Sequence, residues 1–170
     1  MGGFTDDDEE RWMASNGFPQ GSEIIDFIFD GNVAFYVLQD EGVQRLFVQR
    51  LTRPGIEGES KYHFRLQWND YKILLRESTG RISVTLETRT AYAYISDSAA
   101  GSISRFYYYG GDKSNYEPDW LKDTTTEGIQ DLSISINRLY WTTNSNSGSS
   151  VYCGKVKKVP FGDAPFTYFF

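Results

Sequence analysis

Few residues of this chain have types and spacings that suggest chemistry. His63 is the only histidine, so a Ser-His-Asp relay would have to use it. Read as a strand, Tyr62-His63-Phe64 turns His63 to the face opposite Phe64, towards solvent. Cys153 is the only cysteine. It has no disulfide partner within the chain, and a thiol nucleophile needs a base beside it. One His and one Cys do not make a conventional zinc site, so no metal or cofactor is expected. Glu77, Glu87 and Glu127 are candidates for a carboxylate pair, but nothing in their spacing brings them together. Neither a phosphate-binding loop nor a dinucleotide glycine pattern is present. What the chain has in quantity is rings: 12 Tyr, 12 Phe and 4 Trp. Rings can stack on sugars or bases, although at alternate strand positions they more often fill a core.

The elements that would position these residues are strands and, by periodicity, a few helices. Ile24 to Phe29 is a short apolar run stopped by Asp30-Gly31, as in a buried strand. Asn32 to Leu51 fits two templates. One is a hairpin turning at Asp40-Glu41-Gly42, and the other is a helix capped by Asn32. Tyr62 to Trp68, Ile73 to Leu75, Ile82 to Leu86, Tyr92 to Ile95 and Ile103 to Tyr109 read as strands of a largely antiparallel sheet. Ile129, Leu132, Ile136, Leu139 and Tyr140 recur at helical spacing, and Thr124 with Glu127 has the form of a capping box. Asn144 to Ser150 reads as a loop.

The length of 170 residues suits one domain. Residues 1–21 read as a polar, acidic arm containing Asp6-Asp7-Asp8-Glu9-Glu10, residues 22–150 as the domain, and residues 151–170 as an unassigned tail ending in Phe166 to Phe170. The net charge of −6 argues against general nucleic-acid binding, which depends on neutralising phosphates. The absence of a long apolar run predicts no membrane span. With no signal peptide in sight and a single cysteine, the expected compartment is the cytoplasm.

Three local patterns, in order, resemble the ribosome-inactivating proteins, toxins that remove an adenine from ribosomal RNA. Ile82-Ser83-Val84-Thr85-Leu86 followed by Thr90-Ala91-Tyr92 is similar to that family's strand pair. Phe106-Tyr107-Tyr108-Tyr109 is similar to its aromatic strand. Gly128, Leu132, Ile136, Leu139, Tyr140 and Trp141 are spaced like one of its helices. The resemblance implies an α+β fold, a mixed and largely antiparallel sheet with a few helices, here truncated, and it favours the helix for Asn32 to Leu51. It further implies large-subunit ribosomal RNA as partner, with Tyr92 and Tyr116 stacking on the adenine. The family's chemistry needs a Glu and an Arg on one later helix, and no Glu or Arg follows Trp141. Thr90 stands where the family commonly has Asn. The expectation is therefore a truncated or diverged relative with no catalytic residues of its own. The competing expectations are a carbohydrate- or ligand-binding β domain and a non-catalytic interaction protein.

Overall fold

The computed structural model describes residues 21–31, 33–50, 72–110 and 112–156, and over these residues the chain is all-β. Among the described residues eleven antiparallel strands form three sheets, and the helical elements are two 3-10 turns, Tyr108–Gly110 and Lys113–Asn115. The first sheet holds β1 (Glu23–Asp30), β2 (Val33–Asp40), β3 (Val43–Arg50) and β4 (Lys72–Ser78). The second holds β5 (Ile82–Glu87), β6 (Tyr92–Asp97), β7 (Ser102–Tyr107) and β8 (Tyr116–Leu121). The third holds β9 (Ile129–Ser135), β10 (Arg138–Ser145) and β11 (Gly148–Lys155). Every sheet is a meander in which each strand pairs with the next in sequence. No helix among the described residues is long and apolar enough to cross a membrane.

The expected α+β fold is thus overturned at both of its helices. Within the stretch Asn32 to Leu51, β2 (Val33–Asp40) and β3 (Val43–Arg50) form a hairpin turned by Glu41 (φ 46°) and Gly42 (φ 82°). Positive φ at both central residues is the signature of a type I′ two-residue hairpin turn, and a helix cannot contain that pair. The stretch read as a Leu/Ile helix is the hairpin β9–β10, turned by Ile136 (φ 39°) and Asn137 (φ 65°). Its stripe dissolves in three dimensions. Ile129, Leu132 and Leu139 are core, whereas Ile136 sits at the turn tip with 78% of its surface exposed. The true period is two: Leu132 pairs with Trp141 and Ile134 with Leu139, all on one face. Residues 144–150, read as a loop, are mostly strand ends around a turn at Asn146-Ser147. β11 also runs through the 150/151 boundary expected between domain and tail. Tyr62 to Trp68, His63, the acidic run Asp6 to Glu10 and Phe166 to Phe170 lie outside the described residues.

The sheets stack face to face, with the first strand of each lying next to the first strand of its neighbour. β5 packs against β1 on one side and β9 on the other. Successive meanders stacked in this way are how β-propeller blades pack. Val33, Phe35 and Val37 of β2 meet Ile82, Val84 and Leu86 of β5 in the core between the first two sheets. Tyr94, Ile103 and Leu121 meet Ile129, Leu132, Leu139 and Trp141 in the core between the second and third. As the middle layer, β5 is buried at all six positions.

The connections between sheets are pinned by polar contacts. Between β4 and β5, the Ser78 hydroxyl donates to Asp97 at 2.6 Å and Arg76 reaches the other Asp97 oxygen at 2.6 Å. Between β8 and β9, the buried Thr126 hydroxyl donates to the Gly101 carbonyl at 2.7 Å. Gly128 then enters β9 with φ 67°, and the Asn144 N–H donates to its carbonyl at 2.9 Å. A Cβ at Gly128 would lie 2.3 Å from the Asn144 carbonyl oxygen, which is backbone and unable to swing aside. Gly128→Ala should therefore cost roughly 1–3 kcal/mol for the left-handed backbone alone, and more for the clash. The denaturant midpoint would report it, and an unchanged midpoint would contradict this account.

Candidate functional site

Tyr92 opens β6 and Tyr116 opens β8, both in the second sheet. Their register decides whether they can act together. Ala93 pairs with Phe106, and Phe106 pairs with Tyr116, so these three share a row and a face. Tyr92 precedes Ala93 and so points to the opposite face. Packing agrees: Tyr116 lies against the core between the first two sheets, and Tyr92 against the core between the second and third. The structure therefore does not bring the two tyrosines together as two sides of a base sandwich. Tyr116 packs on Phe106 with ring centroids 6.5 Å apart.

Tyr92 belongs to a different cluster. The Arg105 guanidinium lies 4.7 Å from the Tyr92 ring centroid and 4.8 Å from that of Trp120. Arg105 is also fixed to Glu117 across the β7–β8 ladder, with Nη2 within 2.8 and 2.9 Å of the two carboxylate oxygens. A guanidinium held by a carboxylate keeps its flat faces free for rings, and here two rings lie against it. Tyr92 further contacts Tyr107 at 5.4 Å and Tyr94 at 6.5 Å. Tyr94 in turn meets Trp120 at 5.3 Å, and burial raises its phenol well above the ordinary tyrosine range. Tyr92 is thus already engaged by Arg105 and by two neighbouring rings. The geometry is that of a cluster holding the outer part of the second sheet together.

The carboxylates considered from sequence are also separate. Glu77, on β4, is exposed and accepts from Arg45 Nε at 2.7 Å. Glu87 is buried at the end of β5, where it accepts from the Thr90 N–H at 2.8 Å and from the Thr90 hydroxyl, closing the turn to β6. Glu127 is exposed in the β8–β9 connection. Cys153 is unpaired and half-buried on β11. Among the described residues, no group of three or more His, Cys, Asp or Glu side chains could hold a metal ion.

Sequence reasoning missed two features. The first is the network around Asp97, a residue never singled out. Its carboxylate is almost wholly buried, and it accepts from the Ala99 and Ala100 N–H groups at 3.0 and 3.1 Å as well as from Ser78 and Arg76. Burial alone would push its pKa up. The hydrogen bonds from Ser78, Ala100 and Arg76, with the charge of Arg76, outweigh burial and hold it below the usual carboxylate range. Arg76 also reaches Asp119 at 3.3 Å, tying β4 of the first sheet to β6 and β8 of the second.

The second is an exposed apolar face on β1. Ile28 points into the core opposite Phe35, so its neighbours Phe27 and Phe29 point away, opposite Tyr36 and Ala34. Phe27 is 46% exposed and Phe29 63%, with ring centroids 5.9 Å apart. Ile25, at a bulge in the β1–β2 register, adds a third exposed side chain. On the same face of β2, Ala34, Tyr36 and Leu38 are buried, so the exposed apolar surface is confined to β1. The signal was present in Ile24 to Phe29, where apolar residues fill both phases of a strand. A strand with apolar side chains on both phases has two faces to cover. No model of a known protein family matches this chain, and no curated protein is significantly similar to it.

Proposed function

We propose that this chain is a non-catalytic interaction domain that engages a partner protein through the exposed apolar side chains of its edge strand β1. The observation that carries this reading is the exposure of Phe27, Phe29 and Ile25 on β1, while β5, its counterpart in the second sheet, is covered on both faces. Contiguous exposed apolar side chains on a soluble fold mark contact surfaces. The aromatic clusters count against a carbohydrate platform at Tyr92, because its ring already contacts Arg105, Tyr94 and Tyr107. The RNA N-glycosylase reading keeps no structural support for its helix, and its two tyrosines face opposite ways.

Two measurements test this. With an environment-sensitive apolar dye such as bis-ANS, the double variant Phe27→Ser/Phe29→Ser should lose most of the bound-dye fluorescence while its thermal transition is preserved. Undiminished fluorescence would sink the assignment of the contact face. Separately, incubation with intact ribosomes followed by aniline treatment should release no RNA fragment. A fragment that disappears with Tyr92→Ala would establish the enzymatic reading instead.

A further inference from the structure

The third sheet differs from the other two. The first and second have four strands, whereas the third has three among the described residues, and β11 has a strand on one side only. Sheet edges are normally guarded by bulges, prolines or charges. Four of the other five edges follow that rule, and the fifth, β5, needs no guard because it is buried at all six positions between its neighbouring sheets. β9 pairs with β10 through a register shift at Thr142/Thr143. β1 is bulged between Ile24 and Asp26, and β4 pairs with β3 through a bulge at Leu46/Phe47. β8 carries Glu117, Pro118 and an Asp119 with φ 51°. β11 has none of these devices. Its eight residues, Gly148–Lys155, pair with β10 in unbroken register, contain no proline and carry one charge, at the last position.

That charge is placed at a cost. Lys155 lies directly opposite Arg138 of β10, a like-charge pair in which each side chain is exposed. Such a pair destabilises a ladder. Arg45, Arg76, Arg81 and Arg105 each meet a carboxylate, whereas no carboxylate among the described residues pairs with Arg138 or Lys155. The two faces of a strand laid beside β11 would meet different chemistry. Positions in line with Trp141 and Tyr152 continue the core side of the sheet. Positions in line with Val151, Cys153 and Lys155 lie on the outward side with the two cations.

We propose that the edge of β11 left unpaired among the described residues captures an extended polypeptide segment with alternating apolar and carboxylate side chains, adding it as a fourth strand of the third sheet. Backbone hydrogen bonds supply the docking mode, and the Arg138–Lys155 pair selects acidic side chains over basic ones. This site is distinct from the apolar face of β1, so Phe27→Ser/Phe29→Ser should leave the binding described next unchanged.

The test uses the full chain and a fluorescein-labelled octapeptide of alternating valine and glutamate, followed by fluorescence anisotropy. The expected result is binding about tenfold tighter than that of the valine/lysine counterpart. Arg138→Glu/Lys155→Glu should reverse the preference. Should that variant fail to fold, as judged by its far-UV circular dichroism, Lys155→Ala on the native background should reduce the discrimination. N-methylation of alternate amides along one edge of the peptide should abolish binding to the native chain. The proposal is overturned if the acidic peptide does not bind, if N-methylation has no effect, or if discrimination is unchanged by the charge substitutions. It is also overturned if the chain forms a dimer that Val151→Lys disperses and the peptide cannot displace, because the edge would then belong to a second copy.

Discussion

Asp97→Ala should destabilise the fold by about 3–5 kcal/mol, the cost of breaking a buried, hydrogen-bonded ion pair by removing one partner. The variant leaves Arg76, whose side chain is only 16% exposed, without its closest carboxylate, and leaves Ser78, Ala99 and Ala100 without their acceptor. Because Arg76 belongs to the first sheet and Asp97 to the second, the damage falls on the joint between sheets rather than within a ladder. The loss is a large fraction of the roughly 5–15 kcal/mol that stabilises a typical domain. Urea titration would show it as a lowered midpoint. The same carboxylate predicts a dependence on pH whose sign follows from linkage. Its pKa in the folded chain lies below the ordinary value of about 3.9. Its contribution is therefore fully present above that ordinary value and is lost as pH falls through the folded-state value. The gap in midpoint between the native chain and Asp97→Ala should be constant near neutrality and narrow on acidification. A gap that widened in acid would refute the role assigned to Asp97.

Trp141→Ala should cost a similar amount, about 3–5 kcal/mol, for a different reason. Trp141 is 1% exposed, stacked on Tyr152 with centroids 5.8 Å apart and an interplanar angle of 20°. Truncation opens a cavity between the second and third sheets beside Tyr94, Leu132 and Leu139. It also removes the indole N–H that donates to the Thr125 carbonyl at 2.7 Å, a bond that anchors the β8–β9 connection. Trp141→Phe separates the two effects, since it retains much of the ring volume but not the donor. Calorimetry should place it between the native chain and the alanine variant. Equal destabilisation by Phe and Ala would mean that the hydrogen bond, and not packing, dominates at this position.

The parts of the fold legible from sequence are those where one strand's alternation or length sufficed. Ile24 to Phe29, Ile82 to Leu86 and Tyr92 to Ile95 are strands as their composition indicates. The hairpin β2–β3 was visible within Asn32 to Leu51 as one of two templates through Glu41-Gly42, and the family resemblance pulled the choice towards the wrong one. Gly128 to Trp141 was misread for a more instructive reason. Its turn uses Ile136 at positive φ, a backbone state that β-branched residues rarely adopt, so nothing in the residue types announces a reversal there. Once the turn is overlooked, two strands with a period of two merge into one stripe with an apparent period near 3.6. The candidate site was less legible than the fold. Tyr92 and Tyr116 were identifiable as ring-bearing positions, but the face each occupies depends on pairing with Phe106 across two ladders. The contacts of Arg105 with Tyr92 and Trp120, and of Asp97 with Arg76, join residues on different strands, and only register brings them together.

The meander order of the three sheets bears on how the chain reaches this structure. Neighbouring strands are adjacent in sequence, and five of the hairpin connections among the described residues, from β2–β3 through β10–β11, are four residues or fewer. Ladders closed through such short loops carry a small entropic cost, which keeps contact order low for a β fold and favours rapid pairing. Each sheet can thus form from its own stretch of chain, with docking of the finished sheets left to the later contacts of Asp97 and Trp141. A chain assembled in this way behaves as a short linear array, in which the second sheet, flanked on both sides, is the last to open and the outer two open first.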